Sequence, residues 1–326
     1  MSVDEDTEIV EKLAKDPKAL GEYSTYLIKE NKRKNKLCCP APEPNIDKDK
    51  PAILFLGLNP AGNEDDAKRD EKTHGLFLNY YKEFIDGYET EDGKKHNGLS
   101  KELINHKKTK NSKGYSKGFV YSDYYKPIHD FFTEVTENPI AWEWCNYELE
   151  YLYNTIEETK LKLSPNDRDC IEHCKNHYSD NGKYQLIIRD LVYYHQTSNF
   201  SDILINENTS NIKIKNVGIK SVKEIVADMI NAYIKQIPNL KLIYVSFAKT
   251  CDYIYTLTGC EDSYLTKYTT DKEDKSKLDE YGCFEYKGIP VILAGCSLGG
   301  GRALDKYSRF RVGVKVKEIL KEKNHK

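Results

Sequence analysis

The sequence predicts an α/β protein, a three-layer fold in which helices flank a central, mostly parallel four-stranded sheet. Three observations carry this. Four short apolar runs stand apart along the chain, and helical patterns lie between them. In addition, 39% hydrophobic and 31% charged residues over 326 positions match one sizeable core inside a polar surface.

The strands come first. Ala52–Leu58 (AILFLGL), Leu186–Tyr194 (LIIRDLVYY), Leu240–Phe247 (LKLIYVSF) and Val291–Ala294 (VILA) each read as a buried strand, because a strand covered on both faces shows a continuous apolar run. Cys283–Tyr286 precedes the last of them, with Lys287-Gly288 as the hairpin turn. Ser221 opens a helix whose apolar stripe is Val222, Ile225, Val226, Met229, Ile230 and Tyr233, and Pro238 lies just past its end. Ala303–Leu320 reads as a terminal helix. The stretch from about Lys82 to Gly182 is a large insertion, lysine-rich and helical, with SDYYKPIHDFFTEV and AWEWCNYELEYLYNTI as its aromatic helical segments. Thr266–Glu280 is polar and reads as a surface loop. Residues 1–326 are expected to form one domain.

Composition narrows the setting. No run of 18 apolar residues occurs, and MSVDEDTEIVEKL is acidic without an apolar h-region, so a cytoplasmic protein is expected. The nine cysteines are odd in number and irregularly spaced, as reduced, buried thiols are. Cys170, His173, Cys174 and His177 share one helical face, but one helix cannot wrap a metal tetrahedrally. They read as a packing face, and neither a metal nor a cofactor is expected. Net charge is −2, yet basic residues cluster. Between Lys94 and Lys117 the lysines, among them Lys107, Lys108 and Lys110, face only Glu102, and the segment after Arg302 is basic as well. Two such patches leave room for a phosphate-binding face.

In a parallel sheet covered by helices, ligands bind beyond the carboxyl ends of the strands. The first strand runs into Gly57-Leu58-Asn59-Pro60-Ala61-Gly62, a tight turn that projects Asn59 from the sheet edge. His74-Gly75-Leu76-Phe77 follows. The second run ends in His195-Gln196-Thr197, the third in a strand–turn–helix, and the fourth in Gly295-Cys296-Ser297-Leu298-Gly299.

In this order the segments resemble the uracil-DNA glycosylase superfamily. Its first signature reads G-Q-D-P-Y in the uracil enzymes and G-I-N-P-G in the mismatch-type ones. His74-Gly75-Leu76-Phe77 is similar to the H-G-L-x-F that trails that signature. His195-Gln196-Thr197 stands where the family has a base-reading Asn followed by Thr, and Gly295–Leu298 stands at its H-P-S leucine loop. The resemblance spans Ala52 to Leu320 and implies a monomeric DNA glycosylase acting on a flipped base. It gives Asn59 the hydrolytic water, Phe77 the stacking face, and Gln196, with His195 as the near alternative, the base edge. Ser297 and the backbone N–H groups around Gly299 would hold a phosphate, Leu298 would fill the gap in the stack, and Arg302 would pair with the backbone.

Those residue types suit the reaction. Cleavage passes through an oxocarbenium-like sugar, so a group must place water while the departing base anion is stabilised. An amide can donate and accept on a base edge. Two departures from the family pattern matter. Gly295 replaces the His beside the departing base, leaving Arg302 or His74 for that task. Ala61, followed by Gly62, replaces the Tyr that walls off the 5-position of uracil. An open pocket admits a 5-substituted pyrimidine, in which respect the chain resembles the bacterial anti-phage glycosylases that excise glucosylated hydroxymethylcytosine.

Other readings stay open: a uracil or mismatch repair glycosylase, or a non-catalytic DNA-binding module. Gly295–Gly299 is also a literal G-x-S-x-G, the nucleophile elbow of α/β serine hydrolases. Against it, the chain after Ser297 offers only His325 to complete a triad.

Overall fold

A computed structural model of the chain describes residues 3–34, 41, 46–58, 87–89, 95–97, 125–137, 140–142, 182–194, 205, 211–247, 250–251, 253–254, 281–295, 297–298 and 306–324. In chain order the helices are α1 (Val3–Lys15), α2 (Pro17–Ser24), α3 (Glu30–Arg33), α4 (Tyr125–Thr136), α5 (Val222–Gln236) and α6 (Lys306–Asn324). The strands are β1 (Ala52–Gly57), β2 (Gly87–Glu89), β3 (Lys95–Asn97), β4 (Ile140–Trp142), β5 (Tyr184–Asp190), β6 (Ile212–Ile214), β7 (Gly218–Lys220), β8 (Leu240–Ser246), β9 (Tyr281–Tyr286) and β10 (Ile289–Ala294).

The architecture is α/β, with helices on a mostly parallel sheet. The four expected strands sit side by side at its centre, but the sheet has six strands, in the order β4-β5-β1-β8-β10-β9. The expected four-stranded sheet is corrected at both margins. β9 adds the antiparallel hairpin strand. β4 adds a parallel edge strand on β5, with Ile140 opposite Tyr184 and Trp142 opposite Leu186. The segment beginning Ala141-Trp142 was expected to be helical throughout. Its first residues instead extend along β5, because an edge strand needs one partner and three residues suffice to cover it.

The second strand is also corrected, to Tyr184–Asp190 from Leu186–Tyr194. The apolar run outlasts the strand because Leu191–Tyr194 are buried for another reason. Leu191 N–H donates to the Gly57 carbonyl (3.0 Å) and Val192 N–H to the Leu58 carbonyl (2.9 Å), while Tyr193 N–H donates to Ser24 Oγ at the end of α2 (2.8 Å). The terminal helix ends at Asn324, four residues past its expected end.

Each face of the sheet has its own core. On one face Leu54, Leu56, Ile187, Ile243, Val245, Val291 and Leu293 pack with α1, α2 and α5 in one continuous cluster. On the other, Phe55 and Tyr244 stack at 5.6 Å between ring centroids, and Phe131 and Phe132 of α4 meet the Tyr244 ring at 5.8 and 5.4 Å. A Cβ at Gly313 would lie 3.3 Å from a Val135 methyl, so the missing side chain lets α6 approach α4 closely.

α5 starts where its sequence says. Ser221 Oγ accepts from Glu224 N–H (3.3 Å), and Glu224 Oε2 accepts from Ser221 N–H (2.7 Å), a closed capping box. Ser221→Ala is expected to cost about 1 kcal/mol in chemical denaturation, the usual loss for an N-cap. A change below about 0.3 kcal/mol would mean that tertiary contacts alone hold this end.

Behind α5 lies a buried polar knot. Lys220 Nζ lies 2.6 Å from Asp228 Oδ2, and Tyr23 O–H donates to the same oxygen. Lys220 and Asp228 are 2% and 5% exposed, so neither charge is shared with bulk water. The knot ties α2 to the middle of α5 and to the end of β7.

Candidate functional site

β4, β5, β1, β8 and β10 run parallel, so their carboxyl ends fall on one edge of the sheet. Gly57 is the register partner of Asp190, and Ala294 that of Ser246. The segments leaving these ends are tied in two pairs. The exit of β5 is bonded to the end of β1 through the Leu191 and Val192 amides, so the chain entering Asn59 starts beside Leu191–Val192. The exit of β8 is joined to β10: the Cys251 thiol reaches the Ala294 carbonyl (3.4 Å), and Cys251 N–H donates to the Phe247 carbonyl (2.9 Å).

Most of the expected site residues lie outside the described residues: Asn59, Ala61, His74, Phe77, Lys107, Lys108, Lys110, His195, Gln196, Gly299 and Arg302. So do Cys170, His173, Cys174, His177 and Thr266–Glu280. Ser297 and Leu298 are described, four residues or fewer beyond β10, and each is 2% exposed. Burial bears on both expected roles. A leucine that fills a gap in a base stack projects from the protein surface, whereas Leu298 is buried here. A nucleophile elbow holds its serine exposed at the top of the sheet. Ser297 is enclosed in this structure.

The described edge also carries residues that sequence reasoning passed over. Arg189, 1% exposed, is the penultimate residue of β5, and Nη1 donates to the Ile188 carbonyl (2.9 Å). Asp190 follows at the strand end and is half-buried. Around it the Tyr193 hydroxyl accepts from Asp190 N–H (3.3 Å), and the Tyr233 hydroxyl donates to the Asp190 carbonyl (2.6 Å). Burial pushes both phenols above the ordinary tyrosine range, so they remain protonated donors. The two tyrosines thus fix the Asp190 backbone at the end of β5, next to the end of β1, with the buried Arg189 immediately before it. The only signal in the sequence was the Arg-Asp pair interrupting an apolar run.

Beyond β8 the chain does something unusual. Phe247 has φ +72, a left-handed conformation that L residues other than Asn and Asp rarely adopt. On either side of it, Ser246 and Thr250 are fully buried, and neither hydroxyl has a hydrogen-bond partner among the described residues. Leaving a buried hydroxyl unmet costs about 1–3 kcal/mol. Among the described residues no group of three or more His, Cys, Asp and Glu side chains is placed to hold a metal ion, and no helix is long and apolar enough to cross a membrane.

Among the described residues the edge therefore carries a buried guanidinium and a half-buried aspartate at the end of β5, beside the end of β1. No family model, curated protein or solved structure matches this chain.

Proposed function

We propose that this chain is a monofunctional DNA glycosylase of uracil-DNA-glycosylase-like fold, hydrolysing the N-glycosidic bond of a flipped, 5-substituted pyrimidine. The observation that carries the reading is the ordered set of strand-end motifs, each following a strand whose carboxyl end faces the same edge of one parallel sheet. Asn59 orients the attacking water, Phe77 stacks on the base, and Gln196 or His195 reads its edge. Ser297 and the backbone N–H groups around Gly299 hold the neighbouring phosphate, and Arg302 with Lys107, Lys108 and Lys110 meets the DNA backbone. His74 or Arg302 stabilises the departing base. Arg189 and Asp190 extend this list: a buried cation near a departing anion lowers its energy, and a carboxylate beside the water path favours the positive sugar. No motif places a lysine at the sugar carbon, so the product is an abasic site without Schiff-base strand cleavage.

Ala61 and Gly62 leave space where the family has a tyrosine wall, and the substrate is accordingly a cytosine with a large group at C5, glucosylated hydroxymethylcytosine of phage DNA being the foremost. Ala61→Tyr is expected to abolish release of the large base while leaving any release of an unsubstituted pyrimidine intact. Steric exclusion predicts that split. Equal loss on both substrates, with the protein still folded, would contradict it.

A further inference from the structure

A second concavity, of about 320 Å³, lies between α1, α2, the Thr25–Leu27 turn, α3 and the β6–β7 hairpin, and no strand end of the central sheet lines it. We propose that it binds a nucleoside phosphate, independently of the glycosylase reading.

Charge is the first reason. Lys12, Arg33 and Lys215 line the concavity against Glu22 alone. Among the described residues none of the three cations is in an ion pair, although Glu22 lines the same walls. Tyr23 forms part of the floor, but its hydroxyl is committed to Asp228, whose charge is balanced by Lys220. The buried knot therefore cancels none of the positive charge at the mouth, and a small anion gains from all three cations.

The chemistry of the walls is the second reason. Arg33 is stacked on the Tyr26 ring, its guanidinium carbon 4.4 Å from the centroid. Stacking fixes the guanidinium plane and leaves its N–H edge for the oxygens of a phosphate, which it can take in pairs. Ile9, Leu13, Ile214 and Val217 give an apolar lining for a flat ring. Asn216, held at φ +64 in the hairpin turn, sets an exposed amide at the rim, with a donor and an acceptor for a base edge. The volume falls at the lower end of the ~300–1,000 Å³ usual for small-molecule sites, which suits a mononucleotide.

Calorimetric titration of the full chain tests this, with adenosine and cytidine monophosphates, the matching nucleosides and inorganic phosphate as probes. A mononucleotide is expected to bind with Kd on the order of 100 µM, its nucleoside at least about tenfold more weakly. Arg33→Gln and Lys215→Gln, both at the surface, should each weaken it about three- to tenfold, whereas Asn59→Ala should leave it unchanged. Three results would overturn the proposal: no saturation by about 1 mM nucleotide, inorganic phosphate binding as tightly as the nucleotides, or binding kept at full strength with both Arg33→Gln and Lys215→Gln while Gln196→Ala weakens it. The last would move the nucleotide to the sheet edge and leave the glycosylase reading standing.

Discussion

Asn59→Ala is expected to lower the rate of base release by about two to four orders of magnitude, the range seen when a group that positions or activates a reacting water is removed. DNA binding should change little, because a single side-chain amide would be one contact among the many that phosphates provide. The appropriate measurement is single-turnover release on excess protein, which separates chemistry from binding. Asp190→Asn supplies the counterpart. If the carboxylate at the end of β5 helps to favour the positive sugar, its loss slows the same step by a smaller factor. A rate unchanged by Asn59→Ala would remove the water-positioning role and, with it, the reason for assigning this edge to glycoside hydrolysis.

The second large effect is on stability. Asp228→Ala is expected to cost about 3–5 kcal/mol, because it removes the carboxylate that faces the buried Lys220 ammonium at 2.6 Å and accepts from the Tyr23 hydroxyl. The double replacement Lys220→Met with Asp228→Leu should recover most of that loss, since removing both charges also removes the cost of desolvating them. Urea denaturation of the wild type and both variants gives the comparison. A loss under about 1 kcal/mol for Asp228→Ala would show that water reaches the knot. The knot has a functional side too. It fixes α2, whose Ser24 Oγ accepts from Tyr193 N–H just beyond the end of β5. A destabilised knot should therefore loosen the site edge before the molecule unfolds.

How much of this was legible in the sequence follows from which forces are local. The central strands showed themselves because parallel strands buried on both faces must be apolar at every position, and β1 is buried at all six. α5 was legible in full, since its cap, stripe and terminating proline are all sequence features. β4 was not, because three residues at a sheet edge carry no periodicity of their own, and their extension depends on β5. The end of β5 was placed four residues late for a related reason: burial by α2 prolongs the apolar run past the last ladder bond.

The site was legible by type of residue and only partly by place. Asn59 and Ser297 stand out because Gly and Pro surround them. Arg189 and Asp190 were absorbed into a strand, and nothing near Phe247 announces a left-handed turn, which a sequence normally signals with Gly or Asn. That the hydroxyls of Ser246 and Thr250 are buried without a hydrogen-bond partner among the described residues is a property of tertiary surroundings and has no sequence signature at all.

One measurement reaches the central claim directly. Duplex DNAs carrying uracil, hydroxymethylcytosine or glucosylated hydroxymethylcytosine at a single position are incubated with the protein, and the freed base is identified by mass spectrometry while the strand is tested for alkali-labile sites. The expected result is free glucosylated hydroxymethylcytosine, an equal quantity of abasic sites, and no strand break before alkali. Efficient release of plain uracil with every 5-substituted base untouched would contradict the open pocket, and no freed base from any of the three would contradict the glycosylase itself.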